Sequence, residues 1–433
     1  MNCPYLNCQH NNIQNFQESC PDCKRQIIVC PECNVGNRIY AKYCRNCGER
    51  IIGNDNNWQS CKGSSQRSGL SRYVISTPFE SLQIKEIGEV NLSAPCQCLL
   101  IYHNILFCIS QNGEIKLMEI GQNSLKQLNY FTAGNEIYCN PAIANGSLFV
   151  ATKNSIQAYT LGMIASKMPS AGPRWEFSVE GIPVGSLFPC SNRLYFNLFF
   201  KHNNQHREIH AIDQIVSTTP IKPECIHAGP YVSLVAGNMT KKVKNAYFLS
   251  SSNGDINIHM FDHSQKDHIQ TSIIPVKKPE SDFIPQIPIA VIGAKIFAVF
   301  KNKETLFRID ATSGKIDLRL CQNTKEFSMA GVNDPVVVNP KGIFIKRIDQ
   351  QIELSKERQL VKGHPVILRN TAIVFGTKNG TVKMYDLMNP GLSKDWNLSI
   401  KNSESITSIA ASKNIIAAGN QNGKIKVCRL EKK

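Results

Sequence analysis

Ile415-Ile416-Ala417-Ala418-Gly419-Asn420-Gln421-Asn422-Gly423-Lys424-Ile425-Lys426-Val427 places two short apolar runs on either side of an Asn-Gly pair. The run after the pair, Lys424-Ile425-Lys426-Val427, alternates with period 2, as expected where successive side chains point to opposite faces of a strand. Asn-Gly between two such runs predicts a hairpin with a type I′ turn. The same strand, turn and strand return at residues 105–117, around Asn112-Gly113, and at residues 372–384, around Asn379-Gly380. Ser252-Asn253-Gly254-Asp255 has the same form, and weaker copies begin near Leu148, Leu194, Ile296 and Ile343.

A unit that recurs roughly every 40–50 residues and is built from short strands predicts a β-propeller. The copies number eight. Seven remains open, because those near Ile343 and Ala372 stand unusually close. The last unit reaches Lys433 directly after its third strand, while residues 83–90 form a spare strand ahead of the first unit. That spare strand is expected to complete the last blade and close the ring, leaving no free sheet edge. The fold class is therefore mainly β, with the propeller over residues 75–433.

This array resembles the quinoprotein-like and WD-repeat propellers. Residues 308–316, with Asp310 and Gly314, are similar to a quinoprotein strand–turn–strand, and Trp175 and Trp396 stand where that family places an outer-strand tryptophan. Gly363-His364 followed by Tyr385-Asp386 resembles a degenerate WD unit. Quinone-dependent enzymes of this fold use calcium carboxylates and a disulfide that stacks on the cofactor. Neither is recognisable here, since Cys96-Gln97-Cys98 reads as core strand. No small-molecule substrate or catalytic constellation is inferred, and the chain is expected not to be an enzyme.

The first 50 residues are different. Eight cysteines fall in four pairs: Cys3/Cys8, Cys20/Cys23, Cys30/Cys33 and Cys44/Cys47. A Cys-x-x-Cys turn aims two sulfurs at one point, and two such turns complete a tetrahedron around zinc. The order of the pairs assigns Cys3, Cys8, Cys20 and Cys23 to one ion, and Cys30, Cys33, Cys44 and Cys47 to a second. A unit of about 25 residues buries too little apolar surface to fold unaided, so the metal supplies the folding free energy. Four protein ligands leave no open position, so both ions are expected to be structural. Cys30-Pro31-Glu32-Cys33 and Ala41-Lys42-Tyr43-Cys44-Arg45-Asn46-Cys47-Gly48 resemble the double zinc-ribbon family of bacterial cytoplasmic proteins.

Residues 1–51 are thus expected to be a double zinc ribbon. Residues 52–74, rich in Gly, Ser and Asn, are expected to form a flexible tether carrying Trp58 and Cys61. No secretory signal or apolar spanning stretch is evident, and the expected compartment is the cytoplasm. The formal net charge is +16. The head contributes +2, from Lys24, Arg25, Arg38, Lys42, Arg45 and Arg50 against Glu18, Asp22, Glu32 and Glu49. The remaining excess is diffuse and favours weak attraction to acidic partners rather than a nucleic-acid groove.

His202, His206 and His210 have a spacing that converges on a helix. They fall on a hairpin over residues 199–212, where they are expected to diverge. The expected role is a non-catalytic adaptor that binds protein partners, in keeping with bacterial signalling or defence assemblies. The alternative is a nucleic-acid-associated factor that contacts phosphates through the ribbon and basic propeller loops.

Overall fold

The structure is a computed structural model of the 433-residue chain. It describes residues 78–432, apart from segments 166–171, 201–205, 240–243, 264–268, 278–280, 285–286, 330–334, 347–350, 356–364, 369–371 and 398–403 and the single positions 216, 253, 388, 390 and 413. It also describes the strands Ile27–Val29, Gly36–Arg38 and Leu70–Ser71. The eight head cysteines, Trp58, Cys61, His202 and Gly363-His364 lie outside the described residues.

The repeat unit is an antiparallel four-stranded sheet. Cys96–Tyr102, Ile105–Ser110, Glu114–Ile120 and Leu125–Thr132 pair in sequence order. Residues 137–178 and 182–229 form two further four-strand units joined into one eight-stranded sheet. Their first strands, Ile137–Ala144 and Ile182–Cys190, run parallel there, with Cys139 opposite Gly185 and Asn140 opposite Ser186. Residues 231–275 and 290–321 make the next two sheets, and 326–355 and 366–397 the two after those. The last sheet takes Ile406–Ser412, Ile415–Asn420 and Lys424–Lys432 from the C-terminal end, then Leu82–Asn91 as its outer strand. The expected closure is therefore observed.

Strands that are apolar on both faces explain why the units stack. In Lys295–Phe300, Ile296, Ala298 and Phe300 enter the core shared with the preceding sheet. Phe297 and Val299 enter the core shared with the following one. Ile105–Ser110 divides in the same way, with Leu106 and Cys108 on one side and Ile105, Phe107 and Ile109 on the other. Each sheet thus packs on two neighbours. Burying one such Ile or Phe side chain contributes about 1.5–3 kcal/mol. The shared cores follow one another around the molecule, and the largest joins the 366–397, 406–432 and 96–132 sheets. The fold is a β-propeller.

Two expectations need correction. The turns around Asn112-Gly113, Asn379-Gly380 and Asn422-Gly423 are not type I′, which requires positive φ at both residues. Only the glycines have positive φ (91°, 77° and 80°). Each glycine amide bonds to the carbonyl three residues back, as Gly423 does to Asn420 at 3.2 Å. This is a turn followed by a left-handed glycine, and the Asn420 side chain, by accepting from the Asn422 and Lys424 amides, stabilises it. The copy at Ile343 is also displaced by one strand. It begins the third strand of its sheet, Gly342–Lys346, while the second is Pro335–Asn339. The close approach of the 343 and 372 copies compares a third strand with a second one.

Trp175 and Trp396 both lie on fourth strands, Trp175–Ser178 and Ser393–Asn397. Leu70–Ser71, inside the stretch expected as a tether, pairs in parallel with Ile367 and Leu368 on the inner edge of the 366–397 sheet. Among the described residues, no helix is long and apolar enough to cross a membrane.

Candidate functional site

A propeller can present function at its axis, on its loop faces or along its outer strands. Near the axis, the first strands carry small polar groups that satisfy one another. Gln97 Nε2 donates to Asn140 Oδ1 (3.4 Å), and Asn140 Nδ2 donates to Ser186 Oγ (3.3 Å). Thr407 Oγ1 donates to the Cys96 carbonyl (2.6 Å), and the Leu99 amide to Ser408 Oγ (3.0 Å). These bonds stitch successive sheets together.

On one loop face, acidic side chains clasp the hairpin turns. Glu404 accepts from Asn420 Nδ2 and Asn422 Nδ2, both at 2.6 Å. Glu114 accepts from the Ser93 amide and hydroxyl, also at 2.6 Å. Burial raises the Glu114 pKa, but the Ser93 bonds and Lys116 outweigh it and hold the carboxyl below its ordinary value.

Two histidines sit between the 182–229 and 231–275 sheets. Tyr195 Oη and His263 Nε2 are 2.6 Å apart in a buried setting, and the Arg193 guanidinium lies 5.4 Å from the Tyr195 ring. Burial, then the Arg193 charge, brings the His263 pKa down to about 4. His259 stacks on Phe248 at 4.3 Å and meets His227 at 4.7 Å; burial, then His227, brings it to about 4. These groups are held neutral and read as core polar contacts.

The outer strands of the 182–229 sheet carry a mixed donor cluster. His206, Glu208 and His210 alternate along His206–Asp213 and therefore share one face. Glu208 Oε2 lies 2.6 Å from His210 Nε2, and Oε1 lies 3.4 Å from His206 Nε2. His206 and His210 thus share a face, as i and i+4 do on a strand, but they meet different oxygens of Glu208, and His206 stays outside the group of mutually close donors. Cys225, on the neighbouring strand Glu224–Gly229, stands opposite His210 in the register. Among the described residues, Glu208, His210 and Cys225 form the one group of three or more His, Cys, Asp or Glu side chains whose donor atoms all lie within 4.8 Å of one another. Burial, then the Glu208 charge, pushes the Cys225 thiol pKa up. The cluster went unrecognised in the sequence because Cys225 joins it only through strand pairing.

Of the other described cysteines, Cys96, Cys98, Cys108, Cys139, Cys190 and Cys428 are buried in strands and behave as small apolar groups.

Neither a protein-family model nor a curated protein matches the sequence. Solved structures do. A computationally designed protein, Ika8, is 13% identical with a TM-score of 0.58, covering 80% of this chain and 99% of its own. BamB from Moraxella catarrhalis is 11% identical with a TM-score of 0.57, covering 80% and 100%. Saccharomyces cerevisiae Sqt1 is 10% identical with a TM-score of 0.55, covering 80% and 98%. At such identities the likeness concerns the fold alone, and it agrees with the sheet order in assigning this chain a β-propeller.

Proposed function

We propose that this chain is a non-catalytic interaction scaffold: an eight-bladed propeller displaying a head of two structural zinc ribbons. The observation that carries this reading is the succession of shared cores around the molecule. A ring so built is rigid, and its loops offer a broad preorganised surface for a protein partner. Taken as blades, the sheets number eight once the eight-stranded sheet is divided at its parallel junction.

The head would hold one zinc through Cys3, Cys8, Cys20 and Cys23, and the other through Cys30, Cys33, Cys44 and Cys47. The pairing of Ile27–Val29 with Gly36–Arg38, which flank Cys30 and Cys33 in the sequence, supports a ribbon hairpin there. Cytoplasmic residence, where thiols stay reduced, belongs to the same reading.

Cross-linking of the full chain in its native cells, with the linked residues mapped by mass spectrometry, tests the scaffold. Protein cross-links concentrated on one loop face are expected. Nucleic-acid binding that weakens by about 10³-fold or more between about 50 and 200 mM salt, with no protein cross-links, would replace this reading with the phosphate-contacting one.

A further inference from the structure

We infer that Glu208, His210 and Cys225 form a binding site for one borderline transition-metal ion, such as zinc or cobalt, on the outer strands of the 182–229 sheet. Three features carry the inference.

The first is the donor set. An imidazole nitrogen, a thiol sulfur and a carboxylate oxygen suit zinc, cobalt or nickel; calcium and magnesium take oxygen ligands instead. The second is convergence. The three donor atoms already lie within 4.8 Å of one another. A tetrahedral ion bound at about 2.0–2.3 Å from each ligand needs separations of about 3.3–3.8 Å. Side-chain rotation supplies that change: the 2.6 Å contact between Glu208 and His210 opens as the ion enters between them. The third is support. Phe196, in register with His210, stacks on its ring at 5.6 Å and 26°, which fixes the imidazole on the strand.

Strand pairing brings Cys225 opposite His210, and its thiol makes a hydrogen bond to Glu208, so all three donors already meet at one point. Cys225 is exposed and Glu208 and His210 are half-buried, so an ion has a path in. Water takes the fourth position, because His206 Nε2, though 3.4 Å from the other Glu208 oxygen, stays outside the group of mutually close donors. Binding releases the thiol proton, because the thiolate is the ligand. His210 Nδ1 is buried without a hydrogen-bond partner. The site therefore lacks the outer acceptor that commonly braces a metal-bound imidazole, which weakens binding by about 10–100-fold. It is expected to exchange its ion more readily than a closed four-cysteine site.

Full-length protein equilibrated with zinc provides the test. Bound metal per chain is compared among wild type, Cys225→Ser and His210→Ala, and zinc protection of Cys225 against iodoacetamide is mapped by mass spectrometry. Wild type is expected to bind one equivalent more than either variant, whatever the head holds. Zinc should slow alkylation at Cys225 by at least tenfold, and calcium should not. Equal stoichiometry in all three proteins, or alkylation of Cys225 unaffected by zinc, would overturn the site. The alkylation measurement uses wild type and stands even if a variant fails to fold.

Discussion

Lys426 Nζ donates to Glu86 Oε2 at 3.0 Å across 340 positions of sequence. This bond marks the seam where the N-terminal strand Leu82–Asn91 joins the C-terminal strand Lys424–Lys432, in a register running from Leu82 opposite Lys432 to Asn91 opposite Lys424. The exposed ion pair contributes little by itself. The paired ladder and the buried Leu82, Ile87 and Val90 beneath it hold the ring shut.

The seam makes the first prediction. Val90 is 6% exposed and lies opposite Ile425. Val90→Asp puts an unpaired carboxylate into the largest core, at a cost of roughly 2–4 kcal/mol. Deleting residues 78–91 should do more, leaving Lys424–Lys432 as an unpaired edge that promotes association. A lowered melting temperature for both proteins, with concentration-dependent growth in light scattering for the deletion, is the expected outcome. A deletion that melts like wild type would show that the seam is dispensable.

Turn geometry makes the second. Gly314 ends the Asp310 turn with φ +66°, and a Cβ there would stand 1.9 Å from the Pro275 carbonyl oxygen. Gly134 has φ +81° with nothing within 4 Å. Gly134→Ala should cost only the left-handed backbone penalty, about 1–2 kcal/mol. Gly314→Ala adds a clash with main chain and should be clearly worse. Denaturant midpoints for the two variants compare them directly, and equal midpoints would contradict the packing described.

How much of this was legible beforehand depended on the range of the interaction. Short apolar runs such as Ile105–Ser110, followed across an Asn-Gly pair by alternating runs such as Glu114–Ile120, are local and revealed the strands. The spare strand ahead of Cys96 was legible because the last unit ended one strand short. The type I′ assignment failed because Asn420 bonds its own turn through its side chain, which an Asn-Gly pair alone does not signal. Pro335–Asn339 was missed as a second strand because it begins with proline and no Asn-Gly pair follows it, so Ile343 took its place. Cys225 beside His210, and Leu70 beside Ile367, depend on register between distant segments, which no local pattern encodes.

The neutral histidines make the third prediction. The pKa of both His259 and His263 falls from an ordinary 6.5 to about 4 in the folded chain. The unfolded chain therefore binds more protons between these values, and stability falls as pH drops from about 6.5 towards 4. Each histidine contributes a slope of up to about 1.4 kcal/mol per pH unit. His263→Gln and His259→Gln should flatten the acid side of a melting-temperature profile, even if both lower the plateau at neutral pH. An unchanged acid slope in the double variant would contradict the burial assigned to them.

The central claim, a metal-stapled head joined to a propeller that folds without metal, is tested most directly by metal content paired with limited proteolysis. The full chain, dialysed to remove loosely held ions, should retain about two zinc per chain, the capacity of two four-cysteine sites. Adding a strong chelator should open residues 1–51 to protease while a fragment beginning near residue 75 persists. Zinc near zero, iron in its place, or a propeller that is digested together with the head on chelation would contradict the account.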